Sequence, residues 1–386
     1  MNTISYIVKR ILSAIPLLFI VSILSFLIIR LNLNINSINI NLIIFPLIVL
    51  IVFYFLSKTK FNTSKIIILI SFLIFSNIAA NFFPYRITVP EINIKTGDPL
   101  ADLRFNPAIS REVLEAEEKR LGLDKPVYMQ YLLWLEGLFH GDLGVTQQNE
   151  SVIKVIKKPV LNTLLLSVCT LFSTWLIAIP LGIWAAVKRN TFIDRTFAIL
   201  TSCGMSTPTF VLAVLGLLFA LNSQILPIGG LTSVDHYSLN IFGKIIDVIK
   251  HLILPTTILT LISIAGLQRQ MRANLLDVLR QEYIKTAIAK GLPESKVIYK
   301  HALRNAINPL ITIFGFEFGS LLSGAALTET ILSYPGLGAL TLEAARKVDV
   351  NLTMVTLMMG AIMLILGNLI ADLLLKFADP RIKFEG

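Results

Sequence analysis

Charge is scarce in this chain. Only 15% of its residues are Asp, Glu, Lys or Arg, while 55% are hydrophobic, and the mean hydropathy is +0.75. Soluble domains carry about 25% charged residues, so this composition excludes a water-soluble fold and points to an all-α polytopic membrane protein, whose backbone must satisfy its own hydrogen bonds in lipid. Cysteine is nearly absent too. Cys169 and Cys203 both fall inside apolar runs, which excludes a disulfide framework and a Cys-based metal site and leaves them as small buried hydrophobes. His140, His236, His251 and His301 are scattered without ligand-like spacing, so no protein-held metal is expected. No paired nucleophile and base stands out in the apolar runs, which argues against an intramembrane enzyme. The formal net charge of +10 comes without an aromatic-and-basic surface module, so it speaks for membrane orientation and not for nucleic acid.

What the chain has is apolar runs. Lys9 and Arg10 precede the uncharged residues 11–29, long enough at about 1.5 Å per residue to nearly cross a hydrocarbon core of about 30 Å. A cleaved signal peptide would begin the same way, but this run is too long for one and no small-residue cleavage site follows. Residues 42–56 and 66–83 flank Lys58, Lys60 and Lys65 and read as a transmembrane hairpin with a basic tip. From 84 to 159 the chain turns polar. Residues 111–121 have helical character, with Ser110 as a candidate N-cap and Gly122 at the stop, and an amphipathic stretch around Trp134 runs up to the turn residues 141–144. Single spans are then predicted at 161–187, 197–221, 252–267, 310–327 and 352–374, eight in all, placing both termini on one side. Of the 34 Lys and Arg residues, 19 fall in the segments on the side of the termini and 5 in the opposite short loops. The other 10 lie in the long segment 84–160, which the positive-inside rule discounts. Both termini are therefore expected in the cytoplasm, along with the basic loop 268–306.

That loop holds a charged island at 281–309. Tyr283, Ile284, Ala287 and Ile288 recur at helical spacing, Gly291 can take the left-handed conformation that closes a helix, and Pro293 suits the first turn of the next. Beyond it, Ile298, Ala302 and Ala306 form one stripe and Lys296, Lys300 and Arg304 another. The pattern is helix, glycine turn, helix; on pattern alone, a solvated basic loop against anionic lipid fits as well. The loop is too small to be a nucleotide-binding domain, and the chain has no G-x-x-x-x-G-K-[ST] phosphate loop. ATP-driven work would have to come from another subunit.

The segment Glu282–Leu292, EYIKTAIAKGL, followed by His301-Ala302-Leu303-Arg304-Asn305-Ala306 and Pro309, resembles the cytoplasmic loop of binding-protein-dependent ABC importer permeases of the dipeptide, oligopeptide and nickel class. A generic form of that motif begins Glu-Ala-Ala six residues before the glycine; this chain has Lys285, Thr286 and Ala287 there. Further words of the same family recur in order: Gly97-Asp98-Pro99, Leu121-Gly122-Leu123-Asp124-Lys125-Pro126, Gln130-Tyr131, Gly141-Asp142-Leu143-Gly144, Ser206-Thr207-Pro208-Thr209-Phe210, Glu329-Thr330, Tyr334-Pro335-Gly336-Leu337-Gly338 and Asp379-Pro380-Arg381.

The resemblance implies a six-helix type I ABC importer permease core with an extra N-terminal hairpin. Its segments are a first span (1–31), an inserted hairpin (32–94), an extracytoplasmic loop with short helices (95–160) and a core (161–386) carrying the coupling loop 268–306. The hairpin is the departure from the family, and because it adds an even number of spans it leaves downstream sidedness unchanged. The resemblance implies a transmembrane subunit of an ATP-driven importer in a prokaryotic inner membrane, most simply for peptides, with nickel or another small solute as the alternative. Implied partners are a second homologous permease, two ABC ATPase subunits that use ATP and Mg, a substrate-binding protein and membrane lipid; no cofactor is bound by this chain. Glu282, Tyr283, Thr286, Ala287, Lys290, Gly291, Leu292 and Pro293 are the implied ATPase-coupling residues. An ATP-independent channel or secondary transporter would show inverted repeats or several intramembrane charges, and neither is seen.

Polar residues inside spans are costly and so are functional candidates. Glu317 is the most conspicuous, and with Ser206, Pro208, Gly319 and Ser323 it makes a candidate translocation path. Gly315, Gly319, Ser320 and Ser323 equally suit a close helix interface. Asp372 and Asn368, near the inner end of the last span, read as inter-helix or headgroup contacts. If Glu317 meets a cationic group of the substrate, Glu317→Gln should reduce uptake of cationic substrates and spare neutral ones; equal retention of both contradicts the role.

Overall fold

The computed structural model describes residues 3–30, 100, 109–120 and 124–378. The hairpin expected at 32–94 lies outside the described residues, as do Gly97-Asp98-Pro99, Leu121-Gly122-Leu123 and Asp379-Pro380-Arg381. Among the described residues the elements are helical, apart from an isolated antiparallel bridge between Val145 and Ser151. The chain divides into two compact units, residues 1–26 with 119–386, and residues 27–118.

In the smaller unit, α2 (Arg111–Arg120) begins where its sequence directs. The Ser110 hydroxyl accepts the Val113 N–H at 3.4 Å, and Arg111 pairs with Glu115 one turn on at 3.1 Å.

The larger unit opens with α1 (Thr3–Arg30), whose Phe26 ring lies 5.3 Å from Tyr131 of α3 (Val127–Phe139). Ser22 shares a 2.9 Å hydrogen bond with the same Tyr131. Among the described residues, three helices are long and apolar enough to cross a bilayer unaided: α4 (Val152–Val187), α7 (Ile241–Leu279) and α14 (Val350–Ala378), the last over Val350–Leu374. They coincide with the runs predicted at 161–187, 252–267 and 352–374. The Arg10 guanidinium reaches Asp372 of α14 at 2.9 Å, so Asp372 has the inter-helix partner that its position suggested.

The span predicted at 197–221 is instead two helices, α5 (Phe192–Ser206) and α6 (Thr209–Ser223), bent by 96°. Pro208 has no N–H to donate and drives the residue before it out of the helical region, and Thr207 accordingly has φ −89° and ψ 126°. The run at 310–327 likewise divides, into α11 (Asn308–Gly324) and α12 (Ala326–Ile331). Between α7 and α11 come α8 (Glu282–Ala289), α9 (Glu294–Lys296), a π-helical turn (Val297–Ala302) and α10 (Leu303–Ala306); α13 (Leu337–Arg346) precedes α14.

Close backbone approach holds the long helices together. A Cβ at Gly182 of α4 would lie 2.8 Å from the Gln268 carbonyl of α7, one at Gly204 of α5 would collide with the Leu261 carbonyl, and one at Gly319 of α11 would collide with Leu364 of α14. Small residues at such crossings are what membrane helices use in place of a hydrophobic driving force. One buried charge adds direction. Asp194, at the start of α5, accepts two 2.7 Å bonds from Arg272 of α7 and a third, at 3.0 Å, from the Asn190 N–H. The turn after α4 is thereby fastened to α7. Arg272→Ala strands the Asp194 carboxylate and should cost about 3 kcal/mol, the low end for a broken buried pair. Thermal unfolding of the detergent-solubilised protein measures it, with partial recovery expected in Arg272→Ala/Asp194→Ala; an unchanged midpoint in the single variant contradicts the assignment.

Candidate functional site

The loop at 281–309 forms the predicted helix, glycine turn and helical return. α8 ends in a Schellman motif: the Gly291 N–H donates to Ile288 at 2.9 Å and the Leu292 N–H to Ala287 at 3.4 Å, with Gly291 at φ 73°. A Cβ on Gly291 would meet no neighbour within 4 Å. Conformation, not space, is what requires glycine there. Pro293 takes the cap position before α9 with φ −61° and ψ 143°, one step earlier than the first-turn place its sequence suggested.

The loop has an inner and an outer side. Ile284, Ala287, Val297, Ile298, Ala302 and Ala306 are buried in one apolar cluster with Ile183 and Ala186 of α4 and Leu267 and Met271 of α7. Asn274 of α7 adds a 3.1 Å bond to the Ala306 carbonyl. The basic stripe Lys296, Lys300 and Arg304 is exposed, as expected from its spacing. Tyr283 and Ile288, which share the helical spacing of Ile284 and Ala287, are 44% and 59% exposed. An eight-residue helix sends only Ile284 and Ala287 inward, and the two larger side chains flank that face. Tyr283 is nonetheless held, its hydroxyl accepting the Asn305 side-chain amide at 2.7 Å. Glu282 pairs with Lys285 at 2.7 Å and accepts Thr286 through its carbonyl at 2.9 Å; Lys290 is exposed and Leu292 packs on the inner cluster. The result is an apolar-footed platform with an exposed surface of Tyr283, Ile288 and Tyr299 among lysines.

The five path candidates do not form one constellation. Ser206 and Pro208 are exposed at the bend between α5 and α6. Gly319 is buried against α14, the close-interface arrangement. The Ser323 side chain lies outside the described set. Glu317 accepts a 3.0 Å bond from the Trp175 indole N–H, at the edge of an apolar groove of about 700 Å³ lined by Phe172, Trp175 and Leu176 of α4 and Phe314 and Phe318 of α11.

Two polar arrangements escaped the sequence reading. His236 and His251 converge on Asp247, with their Nδ1 atoms 2.7 and 3.3 Å from its carboxylate. The other is centred on Glu329, which is fully buried. α13 begins after Gly336, which has no side chain to cap the helix. The first N–H groups of a helix need acceptors, and here they come from elsewhere in the chain. Thr163 of α4 accepts the Leu337 N–H at 2.7 Å and gives its own proton to Glu329 at 2.7 Å, while Glu329 accepts the Ala339 N–H at 2.9 Å. The words Glu329-Thr330 and Pro335-Gly336-Leu337-Gly338 thus describe one object. A Cβ on Gly336 would collide with the Glu329 carboxylate, and one on Gly338 would lie 2.7 Å from the Ala326 backbone.

Residues 178–384 match the family described as the binding-protein-dependent transport system inner membrane component. The chain is similar to the oligopeptide transport system permease protein AppB of Bacillus subtilis, at 38% identity over 75% of this chain and 90% of that protein. It is similar to the dipeptide transport system permease protein DppB of Escherichia coli, at 36% identity over 78% of this chain and 94% of that protein. Among solved structures, a chain of the MetNI methionine ABC transporter in inward-facing conformations superposes with a TM-score of 0.48 at 17% identity, over 58% of this chain and 97% of that one. With more than half its length inside the matched family, the chain belongs to the inner membrane components of binding-protein-dependent transport systems.

Proposed function

We propose that this chain is one of two related permease subunits of an ATP-driven importer of peptides, with both termini and the 281–309 loop in the cytoplasm. Two ABC ATPase subunits supply the work, using ATP and Mg, and an external binding protein delivers the substrate to the opposite face. The relatives that carry peptide-permease names support the substrate class. The observation that carries the coupling role is the two-sided loop: its inner side is continuous with the core of α4 and α7, and its outer side offers Tyr283 and Ile288 without burying them.

In this reading Glu282, Tyr283, Thr286 and Lys290 meet the ATPase. Ala287 and Leu292 seat the loop on the bundle, and Gly291 with Pro293 sets the angle between its two limbs. Movement of the ATPase pair is passed to α4 and α7 through the buried side chains, and alternating access follows as a rigid-body rearrangement of packed helices. Segment 95–160 faces the binding protein, the hairpin at 32–94 is an addition to a six-helix core, and Glu317 with its neighbouring groove borders the path.

Gly291→Val should abolish uptake and cut ATPase co-purification while leaving membrane insertion intact, because a β-branched residue is a genuine outlier at positive φ. Gly291→Asn, which tolerates that region, should keep most of both. Normal ATP-coupled uptake in Gly291→Val contradicts the turn assignment. For orientation, a single cysteine introduced by Ser295→Cys in a background lacking Cys169 and Cys203 should react with an impermeant maleimide only after the membrane is opened. Labelling in intact cells reverses the topology.

A further inference from the structure

The Glu329 arrangement has no part in the role just described, and its chemistry is unusual for a structural joint. A carboxylate removed from water is costly unless its lone pairs are filled, and well-packed apolar residues fasten helices as well or better. Here the charge is compensated only while several separate pieces are seated together. Glu329 comes from α12, its hydroxyl donor Thr163 from α4, and its backbone donor from the first turn of α13. The N-terminal end of α13 also presents the positive pole of the helix dipole to the carboxylate.

More of the same rim is tied to this point. The Tyr334 hydroxyl donates to the Asn162 carbonyl at 2.7 Å, and the Asn162 amide donates to the Pro335 carbonyl at 2.8 Å. The Gly230 N–H from the loop after α6 donates to the Leu332 carbonyl at 3.2 Å. Ser333 between them is held at φ 50°, a backbone conformation that persists only where surroundings impose it. From Thr163 the helix α4 then runs without interruption to Ile183 and Ala186 in the coupling cluster, about 30 Å at 1.5 Å per residue.

We propose that Glu329 is a positioning residue for transport: with Thr163 it caps α13 and joins the rim opposite the coupling loop to α4, so that docking of the binding protein on that rim is delivered to the coupling cluster. The inference rests on the orientation and partners given under Proposed function. The joint is all-or-none. Either the α13 N–H groups and the Thr163 hydroxyl fill the carboxylate together, or the rim separates and water takes their place. A two-state contact of this kind converts docking into a discrete displacement of α4.

The test uses the complete importer in proteoliposomes, with ATP hydrolysis measured alone and with the binding protein loaded with trialanine. In Glu329→Gln the side chain keeps its size but loses one acceptor, so the complex should assemble with near-normal basal hydrolysis while stimulation by the binding protein falls by about tenfold. Thr163→Val should act in the same direction, and Thr163→Ser, which restores the hydroxyl, should recover stimulation. Full stimulation in Glu329→Gln overturns the inference. So does a parallel loss of basal and stimulated rates in both Glu329→Gln and Thr163→Val, or failure of both to assemble, since either assigns the joint to folding alone. If the wild-type complex is itself not stimulated by the binding protein, the reading under Proposed function fails, not the present one alone.

Discussion

Ile284, Ala287, Ile298, Ala302 and Ala306 share one buried cluster with the ends of α4 and α7, and the proposed coupling depends on that seating. An exposed loop of charged residues would be free to move without consequence. This one is built so that its inner side is bundle core while its outer side stays open. Packed interiors are dense and transmit displacement, so a push on the loop is a push on two long helices. The Schellman turn at Gly291 fixes how the two limbs of the loop meet, and the Asn274 bond to Ala306 ties its return limb to α7 a second time.

The same logic recurs in polar form. At the Asp194–Arg272 pair, a buried carboxylate fastens the turn after α4 to α7. At Glu329, another fastens α12 and α13 to α4 at Thr163. Both contacts are short and tolerate little displacement, since partial separation leaves a buried charge uncompensated. α4 is therefore held at two separated places, near its end by apolar packing and the charged pair behind the following turn, and at Thr163 by the Glu329 cap. Close glycine crossings leave little room for sliding of α4 on α7 at Gly182, of α5 on α7 at Gly204 and of α11 on α14 at Gly319.

Much of this was legible in the residue order. The apolar runs located α4, α7 and α14, and the i, i+4 stripe of Ile298, Ala302 and Ala306 marked the buried side of the return limb. Gly291 followed from turn chemistry. The misreadings have physical causes. Hydropathy alone joined α5 and α6 because the run 197–221 carries no charged residue; the break lies in the backbone, at Thr207-Pro208, and the residue preceding a proline was the available signal. The Glu329 cap was invisible to any periodic rule, since its donor Thr163 stands 166 residues away. Only the recurrence of Glu329 and the glycines as separate words pointed to it, and only their close approach in space explains the glycines.

Under the proposed function, work done by a separate ATPase enters through the seated loop, which requires direct protein contact at the loop's open side. Site-specific photocrosslinking from position 288, where Ile288 is 59% exposed, tests this most directly in membranes containing the assembled importer. A crosslinked product between this chain and an ATPase subunit is expected, lost when the assembly is dissociated. Crosslinking to lipid alone, with ATP-dependent uptake intact, would contradict it.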